Sequence, residues 1–255
     1  MCHTGARPGR CIPADPPFIP STLISSEVFP VSIQSELTIA ALYDLSHTVA
    51  APLLQKFTYP WEALSAIGGF IEQLGATLSP DEYDCPKAGV WIHKTATVAP
   101  TASIAAPCII GAHAEVRHCA FIRGKALVGE NAVVGNSTEL KNVILFDNVQ
   151  VPHYNYVGDS ILGYKAHMGA GSITSNVKSD KQLVVVHGRE GEIETGIKKI
   201  GAMLGDGVEV GCGSVLNPGT VLGRAASVYP LSSVRGVVPE GCIYKDKDHI
   251  VKRGE

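Results

Sequence analysis

The feature that most restricts what this chain can fold into is an aliphatic residue recurring every six positions. Ile92, Val98, Ile104, Ile110, Val116, Ile122, Val128, Val134 and Leu140 form one unbroken series, and Leu204, Val210, Leu216, Leu222, Val228 and Val234 form a second. Between them the pattern returns in pieces, as Val157-Gly158, Leu162-Gly163 and Met168-Gly169. Small residues such as Ala96, Ala102, Ala114 and Ala120 stand two places before the aliphatic. The faces of an α-helix recur at 3.6 residues and those of a flat strand at two, so neither accounts for six. A solenoid does: each hexapeptide is a short strand plus a corner, the aliphatic points inward, and three sides make a coil of about 18 residues. The predicted fold class is therefore mainly β, a parallel β-helix of hexapeptide repeats running from about Trp91 to about Pro239.

Around that body the chain divides into four parts. Residues 1–31 are rich in Pro and lack periodicity, which reads as a loosely held arm. Residues 32–88 read as a small helical region: Leu64, Ile67, Ile71 and Leu74 share one helical face, with Pro60 near the start and Gly75 after the end. A shorter helix is expected around Thr48–Phe57. Residues 89–240 form the β-helix, and 241–255 a C-terminal tail. A net charge of −3 gives no electrostatic footprint for nucleic acid. No apolar run reaches the roughly 18 residues of a membrane span, and no charged-then-apolar leader is seen. The seven scattered cysteines include no CxxC pair, which predicts reduced thiols and a cytoplasmic protein.

Chemistry on a solenoid gathers where the repeat is interrupted. Two interruptions are read, one over Asn142–Pro152 leading into His153, the other a charged excursion over Asn176–Lys199. A histidine can take a proton from an attacking amine at neutral pH. Arg123 and Lys141 lie eighteen apart, one predicted coil, and stacked cations suit a phosphate. A solvated face, with Glu130 or Glu139 as acidic partners, explains the same two cations equally well. His113 and His118 raise the thought of zinc, but no third ligand stands at a suitable offset, so no metal is expected.

The ungapped stretch from Arg123 to Asn176, with VPHYNYVGDS and MGAGSITSN in it, resembles a known family. It is similar to the acetyltransferase domain of bifunctional N-acetylglucosamine-1-phosphate uridylyltransferases and of archaeal sugar-1-phosphate nucleotidylyltransferases. The likeness continues more loosely to Val238 and covers a little over half of the chain. It implies a left-handed β-helix that assembles as a homotrimer with sites between subunits. It also implies transfer of acetyl from acetyl-CoA to the amine of an amino-sugar 1-phosphate. Position by position, it makes His153 the general base, places Arg123 and Lys141 on the sugar phosphate, and puts Tyr156, Asn176 and Lys181 on further sugar contacts. Ala170 falls where a backbone amide meets the acetyl group, and Cys212 and Ser214 fall in the coenzyme A region.

There are departures. His167 replaces a family Asn beside the presumed site, and the distal coils differ. No LxAGxGTRM-like phosphate loop occurs in residues 1–90, so nucleotidyltransferase activity is not expected. The competing reading is a non-catalytic sugar-phosphate or sugar-nucleotide binding or structural trimer. The residues do not distinguish glucosamine from galactosamine phosphates.

Overall fold

The computed structural model describes Met1 and residues 34–254, so the Pro-rich arm expected over 1–31 lies, but for Met1, outside the described residues. From Val90 to Tyr244 the chain winds as a parallel β-helix whose strands stack on three faces. It is the left-handed hexapeptide β-helix with a small helical cap. On the first face Trp91 pairs with Ile109 and Ile109 with Leu127, a step of 18 residues. On the second Val98 pairs with Val116, and on the third Ile104 with Ile122, again 18 apart. The repeat aliphatics Ile110, Val116, Ile122, Val128, Val134 and Leu140 are all buried, and so are Leu204 to Val234. Ile92, Val98 and Ile104 in the first coil are only partly buried because no coil lies beneath them.

From His113 to Lys165 the corners carry residues in the left-handed region, and these residues mark the period. His113, Cys119, Lys125, Asn131 and Ser137 have positive φ at intervals of six. The next are Asn142, Asn148, Tyr154, Asp159 and Lys165. Intervals of five thus fall at Asn142 and Asp159, where two coils lose one residue each. Accordingly Leu140 pairs with Val157, and Tyr156 with Ile173, at a step of 17. The stretch Asn142–Pro152, read from sequence as an interruption, is thus continuous coil with a tightened corner. The second interruption is real: Met168 pairs with Val210 across 42 residues, one coil plus an excursion of 24. Val185–Gly188 and Gly191–Glu194 form a hairpin within it.

The shortened coils pass very close to their neighbours. A Cβ built on Gly135 would overlap the Pro152 carbonyl of the next coil. That approach is backbone to backbone and cannot be relieved by a rotamer change. Gly135→Ala is expected to destabilise the chain by about 3 kcal/mol through overpacking, read as a lower urea midpoint at unchanged m-value.

The first face is covered, and its sequence shows why. In a strand, residues flanking an inward aliphatic point outward. On this face the outward residues are Ile109, Leu127, Ile144, Ile161, Met203 and Val221, all buried. On the second face the corresponding positions include Glu115, Val133, Gln150, His167 and Glu209. The cap settles on the first face, where each buried apolar side chain contributes about 1.5–3 kcal/mol. The α-helix Ile67–Gly75 packs on the strands that carry Ile109, Leu127 and Ile144.

The single helix expected over Pro60–Gly75 is split at Ala66 into a 3-10 helix, Pro60–Ser65, and that α-helix. The Gly68-Gly69 pair next to the split lowers α-helical propensity there. Glu62 accepts from the Thr58 and Tyr59 amides at 2.9 and 2.8 Å and fixes the start. Gly75 is more than a stop signal, since a Cβ there would meet the Trp91 ring at 2.5 Å. The helix expected over Thr48–Phe57 is one turn, Ala51–Leu54.

Polar ties complete the docking. Asp206 accepts from the Asp44 amide at 2.7 Å and the Tyr164 amide at 2.8 Å. Burial raises its carboxyl above the ordinary value, against the pull of those hydrogen bonds and of Arg224. His47 stacks on Tyr164 with centroids 3.7 Å apart. At the C-terminal end the expected tail also carries structure. Cys242–Asp246 continues the second face beside Ser227–Val228 and then turns back antiparallel as His249–Lys252. At the other end Tyr83–Lys87, inside the region expected to be helical, is a strand antiparallel to Val90–His93.

Candidate functional site

Arg123 and Lys141 stand on the corner that follows the third face. The Arg123 amide donates to the Leu140 carbonyl, so the two residues occupy successive coils, one above the other, as their spacing predicted. Each already has a carboxylate partner. Arg123 Nη1 lies 2.7 Å from Glu139 Oε1, with the two side chains 45% and 33% exposed. Lys141 Nζ lies 3.1 Å from Asp159 Oδ2, and Asp159 is only 4% exposed.

Asp159 is the residue that sequence reasoning missed. It sits in the left-handed region at φ 48°, at the second five-residue step. Its carboxylate receives Lys141, the Asn142 side-chain amide at 2.9 Å, and the Asn176 side-chain amide. Three donors from two stretches of chain thus converge on one buried acid. The signal that could have revealed it is the slip from six to five at Asn142 and Asp159, which puts both on the same tightened corner of adjacent coils. Asn142 Oδ1 is buried with no donor among the described residues, an acceptor left over in this cluster.

Tyr156 and Asn176 join the same cluster. The Tyr156 hydroxyl lies over Gly158, where a Cβ would meet it at 2.5 Å. Burial, then the charges of Asp159 and Glu139, push the Tyr156 phenol up, while Arg123 and a hydrogen bond with Asn176 pull the other way. Lys181 does not join. It is exposed in the excursion, its amide donating to the Lys178 carbonyl at 2.9 Å, and it makes no side-chain hydrogen bond among the described residues.

His153 stands at the other end of the third face, on the corner that precedes it. Its backbone is fixed on both sides. The His153 amide donates to Asn155 Oδ1 at 3.0 Å, and its carbonyl accepts from the Gly171 amide at 2.9 Å. Asn155 is buried, and its amide donates to the Gly169 and Ser172 carbonyls of the next coil. The imidazole itself is exposed and has no partner among the described residues. One side of the coil separates its backbone from the cation corner: His153 aligns with Asn136 and Lys141 with Gly158.

The residues expected to meet the acetyl donor are divided by the structure. Ala170 is exposed; its carbonyl accepts from Gly213, while its own amide has no acceptor among the described residues. Cys212 is exposed. Ser214 is fully buried, its hydroxyl donating to the Tyr229 carbonyl at 3.1 Å and accepting from the Ser232 amide at 3.3 Å. That hydroxyl is committed inside the coil. His167 lies further along the second face, paired with Gln150 and hydrogen-bonded to Glu209 at 2.8 Å.

Residues 104–226 match the family described as the GMPPB C-terminal domain. The bifunctional protein GlmU of Methanococcus maripaludis is 35% identical over 117 residues, covering 46% of this chain and 28% of that protein. The bifunctional sugar-1-phosphate nucleotidylyltransferase/acetyltransferase of Sulfurisphaera tokodaii is 32% identical over 109 residues, covering 43% and 27%. The matched part of the β-helix is similar to these proteins. This chain spans a little over a quarter of the length of these relatives. Among solved structures, the polySia specific acetyltransferase NeuO is 14% identical over 66% of this chain and 88% of its own, with a TM-score of 0.42. Among the described residues no group of three or more potential ligands could hold a metal ion, and no helix is long and apolar enough to cross a membrane.

Proposed function

We propose that this protein is an acetyl-CoA-dependent N-acetyltransferase acting on an amino-sugar 1-phosphate of the glucosamine type, with His153 as general base. The observation that carries the reading is an exposed imidazole, without a partner among the described residues, on a rigidly held backbone and one strand away from two stacked cations. In this scheme His153 takes a proton from the sugar ammonium, and the freed amine attacks the thioester carbonyl. The carbonyl oxygen gains charge as the tetrahedral centre forms, and the unpaired Ala170 amide is a donor available to it. Collapse breaks the C–S bond and releases the coenzyme A thiol. Ala170 and Cys212 are the residues that fit the donor; the Ser214 side chain does not.

Magnitudes decide how the cations would work. The exposed Arg123–Glu139 pair is worth about 0–1 kcal/mol, so a phosphate can displace Glu139 at little cost. Lys141 is held by a buried carboxylate and stays where Asp159 puts it. Arg123 is then the adjustable contact and Lys141 the fixed one, with Tyr156 and Asn176 beside them; Lys181 reaches the sugar only if the excursion bends inward. We place the site between subunits of a cytoplasmic homotrimer.

The neutralised cations favour one second reading, a non-catalytic sugar-phosphate or sugar-nucleotide binding or structural trimer. One assay separates the two. Purified protein given acetyl-CoA and a panel of amino-sugar phosphates is expected to release free thiol with one of them. Saturable binding of a panel member without thiol release would establish the second reading.

A further inference from the structure

We propose that a cavity at the C-terminal end of the first face binds a free amino acid with an apolar side chain, held as a zwitterion between Glu36 and Arg224. The cavity, of about 260 Å³, lies where the start of the cap, the hairpin of the excursion and the returning C-terminal strand come together. These segments bring Glu36, Arg189 and Lys252 respectively. No residue used in the reaction proposed for His153 lines it, so the inference does not depend on that reading.

The place follows from how the first face is covered. Its outward residues Ile161, Met203 and Val221 are fully buried, but Val237, the next one along, is only partly so. Beyond Val221 the cover thins, and Leu42, Val221, Val237 and Val238 are left lining the cavity. Such a lining takes up a hydrocarbon side chain favourably. The volume is below the roughly 300–1,000 Å³ of sites for drug-sized ligands. It suits one amino acid better than a coenzyme or a peptide.

The charges around that lining are of both signs and incompletely paired. Glu36 Oε1 is shut off from water and accepts no hydrogen bond among the described residues, and Arg224 Nε is shut off and donates none. The contacts these two side chains do make are long. Glu36 Oε2 lies 4.0 Å from Arg189 Nε, Arg224 Nε lies 3.8 Å from Asp206 Oδ2, and Arg224 Nη2 donates to the Ala40 carbonyl at 3.3 Å. Glu36 and Arg224 both line the cavity yet form no ion pair with each other. A buried polar atom without a partner is costly, so each favours a ligand that supplies one. Glu36 needs a donor and Arg224 an acceptor, and the ammonium and carboxylate of one amino acid are both at once. The terminal torsion of a glutamate is soft, so its carboxylate turns toward the ligand at little cost. Lys252, which has no carboxylate partner among the described residues, adds a second cation for the ligand carboxylate. A simple anion would leave Glu36 without its donor, and a simple amine would leave Arg224 without its acceptor.

The test is isothermal titration of the full chain with L-leucine as probe, beside isocaproate, which lacks the ammonium, and isoamylamine, which lacks the carboxylate. L-Leucine should bind saturably, and each analogue about tenfold or more weakly, equivalent to about 1.4 kcal/mol. Glu36→Gln keeps the shape and removes the charge, and should weaken L-leucine by a similar factor. Val237→Trp fills the lining without touching either charge and should abolish binding. The Arg123→Ala/Lys141→Ala double variant should bind L-leucine as the unmodified chain does. Absence of saturable L-leucine binding overturns the proposal, as does equal binding of either analogue. Both of those readings use the unmodified chain, so they stand even where a variant fails to fold. Unchanged binding in folded Glu36→Gln or Val237→Trp likewise sinks it. So does loss of binding in the folded double variant, since the ligand would then sit at the cation corner.

Discussion

His153→Ala lowers kcat/KM for acetyl transfer by about 10²–10⁴-fold, the range set by loss of a positioned general base. Stability should hardly move. The imidazole is exposed and makes no hydrogen bond among the described residues, and surface substitutions of that kind stay within about 0.5 kcal/mol. The local conformation is held by Asn155 and by the Gly171 amide, neither of which uses the ring. Thermal midpoint and oligomeric state therefore serve as controls, and thiol release from acetyl-CoA as the readout. Near-normal turnover in the variant would remove His153 from the mechanism.

The second large effect is expected at Asp159, and on stability. Asp159→Ala removes the acceptor of Lys141, Asn142 and Asn176 at once and puts Ala in a left-handed conformation. Breaking a buried pair costs about 3–5 kcal/mol, and the left-handed Ala adds about 1–2 kcal/mol. Lys141 is 28% exposed and can turn to solvent, so the lower end, about 4 kcal/mol in total, is expected. Asp159→Asn separates charge from geometry, because Asn tolerates this φ and can still accept one donor. It should cost well under half as much in urea unfolding. It should also raise KM for the sugar phosphate with kcat nearly unchanged, since Lys141 loses its fixed position but the base does not. Equal destabilisation by Ala and Asn would show that the charge, not the corner, matters.

Much of this architecture was legible in the one-dimensional pattern. Ile92 to Leu140 mark nine sides of the coil because a β-helix repeats its environment at every strand, so each inward position imposes the same requirement. The eighteen-residue spacing of Arg123 and Lys141 likewise translated directly into stacking. The covering of the first face was written in Ile109, Leu127 and Ile144, but that signal lies one residue away from the main repeat and shows only when the three faces are compared.

Other features were hidden for identifiable reasons. Asn142–Pro152 looked like a break because the period slips from six to five, and a fixed-period reading cannot distinguish a shortened corner from a lost repeat. Gly75 read as a helix stop, whereas its closeness to Trp91 depends on how the cap packs. Ser214 looked available because a sequence does not reveal which corner hydroxyls turn inward.

By itself, then, the sequence determined the solenoid, its coil length, the long excursion over 176–199 and the stacking of Arg123 on Lys141. All of these follow from local periodicity, which needs only the chemistry of one strand and one corner. Only the tertiary structure decided that both cations are paired, that Asp159 gathers Lys141, Asn142 and Asn176, and that His167 meets Glu209. These contacts join residues from different coils, and the excursion and the two shortened corners set which coils meet. Their register is fixed by backbone ladders that bring together residues 16 to 42 positions apart, a separation at which no local propensity acts.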